Sequence, residues 1–159
     1  HRKDKDMALT RFASHFAIAA AALAAFAIPI PSSVTPTAAI AQTAGAQSIA
    51  SGQFRGADRS HRANGSARII RRANGDLVVQ FEDFSVTGGP DLRVWVTDVA
   101  DVRNARAARR ANHIDLGRLR RSRGDQSYVI PAGALDGNHR SIVIWCRAFG
   151  VFFASAPLS

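Results

Sequence analysis

The sequence predicts an all-β domain, an antiparallel β-sandwich of about seven or eight short strands. Residues 100–112 are open to either a short surface helix or an excursion loop. Three observations carry this reading. Apolar runs of strand length recur between clusters of turn-forming residues, as at 77–84, 92–96, 127–130 and 141–149. Asn74-Gly75 lies between two such runs and suits a tight hairpin, because this pair tolerates positive φ. No βαβ rhythm and no internal repeat can be found.

Taken in order, residues 1–41 read as a secretory signal peptide whose true start is Met7. Lys3, Lys5 and Arg11 supply its positive region, and residues 16–28 form an unbroken apolar run of 13. That run suits a signal sequence and falls short of the roughly 20 apolar residues of a membrane span. Pro29 and Pro31 end it, and Ala39-Ile40-Ala41 before Gln42 gives a small-x-small cleavage pattern. Export to the periplasm or the extracellular space is therefore expected, with no transmembrane anchor after cleavage. Residues 42–51 are small and polar and read as a flexible leader, so the domain is expected at 52–159.

Within the domain, Leu77, Val79 and Phe81 fall on one face of a strand, and Leu92, Val94 and Val96 on one face of another. Residues 114–119 give a short strand and a basic turn. Residues 127–130 form a strand that stops at Pro131. The last long run, 142–149, is apolar on both alternating faces apart from Arg147, which implies cover on both sides. Ile142, Ile144, Cys146 and Ala148 share one face. Val143, Trp145, Arg147 and Phe149 share the other, where the Arg147 guanidinium is positioned to stack on Trp145.

After residue 41 the chain holds 17 arginines, no lysine and 10 acidic residues. Such a balance suits anionic partners, but no aromatic residues interleave with the arginines, so no specific nucleic-acid interface is expected. Cys146 is the only cysteine and therefore cannot form an internal disulfide. It reads either as a small buried hydrophobe or as a redox thiolate. His61, His113 and His139 show no chelating spacing, so no metal site is expected. No heme attachment motif, nucleotide-binding motif or Ser-His-Asp signature is present, and the cofactor stays unknown. The single glutamate, Glu82, excludes a hydrolase built on paired glutamates. A non-enzymatic module fits better than an enzyme acting alone.

Several motifs in order resemble the DM-thirteen domain, a small module of bacterial exported proteins and animal cell-surface proteins. They are Gly52-Gln53-Phe54, His61 with Gly65 and Ala67, Gly89-Pro90-Asp91-Leu92-Arg93-Val94-Trp95-Val96, Gly124 to Pro131, and Val143-Ile144-Trp145-Cys146-Arg147-Ala148-Phe149. The resemblance covers about 52–158. It implies an all-β domain with a redox or electron-transfer role centred on Cys146 and a separate redox protein as partner. Trp145, Arg147, Asp91 and His61 are the expected neighbours of the thiol. The alternative expectation is a non-catalytic envelope or cell-surface binding module, whose basic surface meets an anionic envelope component. A metal carrier using Cys146 with a histidine is the third.

Overall fold

The computed structural model describes residues 46–159. The expected signal peptide at 1–41 and the start of the expected leader lie outside the described residues. Nine strands form two antiparallel sheets, as an all-β sandwich requires. The four-stranded sheet has the order β1-β3-β4-β7, from Gln47–Gln53, Ala63–Arg71, Leu77–Val86 and Gln126–Ile130. The five-stranded sheet has the order β2-β9-β8-β5-β6, from Arg55–Gly56, Val151–Pro157, Ser141–Cys146, Leu92–Thr97 and His113–Arg118. One α-helix, α1 (Ala105–Arg110), lies in the connection between β5 and β6.

The expected leader needs correction. Residues 47–51 belong to β1 and pair with β3, Gln47 opposite Arg71 and Ser51 opposite Arg68. Apart from exposed Ile49 their side chains are small or polar, as suits β1, an edge strand that is largely exposed. With the two-residue β2, this raises the strand count to nine.

Alternation places the core. Ile69, Val79, Phe81, Tyr128 and Ile130 from the first sheet meet Leu92, Val94, Val96, Ile142, Ile144 and Cys146 from the second. Phe54, Phe81 and Phe84 form a triangle with ring centroids 4.8 Å apart. Both Phe81 and Phe84 face inward because the β3–β4 pairing is irregular between Asn64 and Ser66. Gly65 makes that irregularity possible. Its φ is +96°, and a Cβ there would stand 2.7 Å from the Glu82 and Asp83 carbonyl oxygens.

The five-stranded sheet is covered on its outer face as well. There Trp95, Val143, Trp145 and Phe152 pack under Val102 and Ala108 of the β5–β6 excursion. A six-residue helix has little stability of its own. Tertiary contacts hold α1: buried Ala108, the Asn104 side chain accepting from the Ala107 amide at 2.9 Å, and Ser155 Oγ donating to the Val102 carbonyl at 2.6 Å.

Candidate functional site

Cys146 is the last residue of β8, and its side chain is fully buried in the layer between the sheets. Leu92 on β5 and Val151 on β9 are its cross-strand partners. The strand reading placed the thiol on this aliphatic face, and the structure agrees. Ala148 and Phe149 do not continue the strand. They lie in the turn at 147–150, where Phe149 is 73% exposed. Gly150 with φ +62° helps close this hairpin.

Asp91 and Arg147 form the rung just beyond the thiol. The Arg147 amide donates to the Asp91 carbonyl at 2.9 Å, and Arg147 Nε donates to Asp91 Oδ2 at 2.7 Å. Both were expected beside Cys146, and they bond to each other. Because Arg147 pairs with Asp91, it does not stack on Trp145. The guanidinium over Trp145 belongs to Arg109 of α1, 5.7 Å from the ring centroid, and Arg109 also donates to the Gly150 carbonyl.

Trp145 faces away from the thiol, as alternation requires, and stacks on Trp95 with centroids 4.8 Å apart and planes 21° apart. Trp95 in turn stacks on His113 at 3.9 Å and 19°. The result is a column running from exposed His113 through two buried indoles to exposed Arg109. Offset aromatic pairs contribute about 0.5–1.5 kcal/mol beyond area burial. Trp95 Nε1 is buried without a hydrogen-bond partner among the described residues. Trp95, His113 and Arg109 are the members that sequence reasoning missed. The one available signal was that Trp95 and Trp145 alternate outward on two strands that prove to be neighbours.

His61 lies elsewhere. Its ring bonds the Asp58 carboxylate at 2.9 Å and packs edge-on against Phe153 with centroids 4.3 Å apart. The His61 side-chain and backbone hydrogen bonds, with one from the Ser60 amide, hold the Asp58 carboxyl below its usual range. His61 thus meets the inner layer through Phe153, while the thiol lies against Leu92 and Val151. Among the described residues, no three His, Cys, Asp or Glu side chains converge on a point where a metal could be held. No helix there is long and apolar enough to cross a membrane.

Comparison with curated proteins and with solved structures finds no match. A family model does match, described as electron transfer DM13, over residues 53–158 and so over every strand from β2 to β9. The chain belongs to the electron transfer DM13 family.

Proposed function

We propose that the domain transfers electrons through Cys146, which exchanges with the disulfide of a separate redox protein when the Asp91–Arg147 end of the sandwich opens. The position of the thiol carries this reading. It is fully buried, yet it occupies the last rung of β8 before an exposed hairpin. Beyond it the sheet is continued by the Arg147–Asp91 contacts, and Arg147 is 64% exposed. Asp91 is 18% exposed, and a pair open to solvent on its Arg147 side is worth up to about 1 kcal/mol, so this end is a candidate for local opening.

In the closed state the thiol is inert, because attack needs both a thiolate and access. In the open state the thiolate attacks one sulfur of the partner's disulfide. The mixed S–S bond forms as the partner's bond breaks, and the partner's second sulfur leaves as thiolate and takes up the proton Cys146 gave to water. Cys146 is oxidised by this step and one partner sulfur is reduced. Such a partner belongs to an oxidising compartment, in keeping with export by way of residues 1–41.

A small aromatic disulfide, 5,5'-dithiobis(2-nitrobenzoate), tests the reading on the folded protein. We expect one equivalent of thiolate released slowly from the wild type, and up to about fivefold faster from Asp91→Ala, since removing the pair destabilises the closed end by up to about 1 kcal/mol. Release at the global unfolding rate in both proteins would make Cys146 a core residue and sink the reading.

A further inference from the structure

Two clefts open side by side at the end of the sandwich where β4 leaves and β5 begins. One, of about 510 Å3, is lined by Arg62 and Arg123 together with Thr87 and Ser122. The other, of about 620 Å3, is lined by Arg118, Arg120 and Arg121 over a floor that includes Leu92. Gly88 and Ser122 belong to both. Five of the domain's 17 arginines thus surround one continuous depression, and no carboxylate lines it. Among the described residues, none of the five pairs with an acid. The nearby carboxylate of Asp125 is engaged with the Asp83 amide at 2.9 Å.

The segment that carries four of these arginines is held in place from below. The Leu119 amide donates to the Leu92 carbonyl at 2.7 Å, and the Val86 amide to the Ser122 carbonyl at 2.9 Å, so the segment bridges both sheets. Buried Gln126 and Tyr128 fix its turn. Gln126 Nε2 donates to the Arg121 carbonyl at 2.9 Å, the Tyr128 hydroxyl donates to Gln126 Oε1 at 2.7 Å, and the Arg120 amide donates to that hydroxyl at 3.1 Å. Arg120 also lies over the Tyr128 ring at 5.1 Å. Burial pushes the Tyr128 phenol above its usual range, so the hydroxyl keeps the proton this network uses.

We propose that this paired cleft is a binding site for a compact polyanion carrying two or more phosphate groups. Guanidinium forks match phosphate oxygens in bidentate fashion. Five like charges gathered around one depression, four of them on a fixed turn, repel one another, and an anion relieves that repulsion. Because the turn is already ordered, little ordering entropy opposes binding. Two clefts with arginines in each suit a ligand with more than one charged group. A soluble polyphosphate and a clustered lipid headgroup share this chemistry.

Titration calorimetry of the signal-free chain with sodium tripolyphosphate at low salt tests the site. Saturable binding is expected that weakens as salt rises. Arg62→Ala/Arg123→Ala and Arg118→Ala/Arg121→Ala are each expected to weaken it about tenfold or more. Arg106→Ala/Arg110→Ala removes the same charge from helix α1 and is expected to change it by less than about twofold. No saturable binding, or an equal loss in the helix variant, overturns the proposal. Vesicles of phosphatidylglycerol and phosphatidylcholine identify the source. Capture of the wild type but of neither cleft variant makes the ligand a lipid headgroup, whereas tripolyphosphate binding without capture makes it a soluble polyphosphate. Cys146→Ser is expected to bind as the wild type does, so this result stands apart from the thiol chemistry.

Discussion

The two faces of β8 are apolar for different reasons. The inner face, with Ile142, Ile144 and Cys146, is aliphatic and is closed by a second sheet. The outer face, with Val143 and Trp145, is roofed by a short excursion whose helix has six residues. The inner layer is built from many strands and, away from its Cys146 end, loosens with the whole sandwich. The outer roof hangs on a few contacts, among them buried Val102 and Ala108, the Ser155–Val102 hydrogen bond, the Asn104 cap, Arg109 on Trp145 and Gly150, and the Asp98–Asn112 bonds. Equal burial on the two faces therefore does not mean equal local stability.

Ile144→Ala sharpens the comparison most. It is expected to cost about 2–5 kcal/mol, read as a lower urea midpoint in every probe at once. If the tryptophan signal alone shifted, the inner layer would not be the cooperative unit. Val102→Thr buries a hydroxyl under the roof and is expected to cost about 1–3 kcal/mol. Its mark should be local: faster amide exchange at 102–111 and altered fluorescence from Trp95 and Trp145, with β3 and β4 unchanged. Uniform loss of protection across both sheets would break the distinction.

Tyr128→Phe removes a buried hydroxyl from Gln126 and from the Arg120 amide and is expected to cost about 1–3 kcal/mol. Asn104→Ala removes the α1 cap at about 1 kcal/mol, again visible first in exchange at 102–111. The smallest effect is that of pH. Burial lowers the His139 pKa, against a weaker raising by its bond to the Ala134 carbonyl. The unfolded chain then binds more protons, so stability falls as pH drops below the unfolded value of about 6.5 and levels off below the folded one. His139→Gln should flatten that part of the pH–stability profile, and an unchanged profile would remove His139 from the account.

Much of this fold can be read from alternation. Leu92, Val94 and Val96 and the inward thiol follow from a period of two, and the Asn74-Gly75 hairpin from a pair that tolerates positive φ. β1 was hidden because an edge strand of Ser, Ala, Gln and Gly with a single exposed Ile49 carries no apolar rhythm. The roof was hidden for a related reason. Residues 100–112 are mostly alanine, arginine and asparagine, and the three buried residues Val102, Ala108 and Ala111 give no visible stripe. At the site, alternation placed Cys146 and Trp145 on opposite faces but could not say which arginine reaches the indole. That depends on a contact between Arg109 and Trp145, 36 residues apart in sequence, and only the three-dimensional path of the excursion decides it.

The irregular register between β8 and β9 ties the layers together. Ile144 pairs with Ala154 and Trp145 with Phe152, so Phe153 is an extra residue that turns inward while Phe152 turns outward. Adjacent phenyl rings thus pass through the sheet like a rivet, one head under the roof and the other between the sheets against His61. The roof and the layer that encloses the thiol are thus filled from neighbouring residues of one strand, and a change of register at this point of β9 would empty a place in both at once.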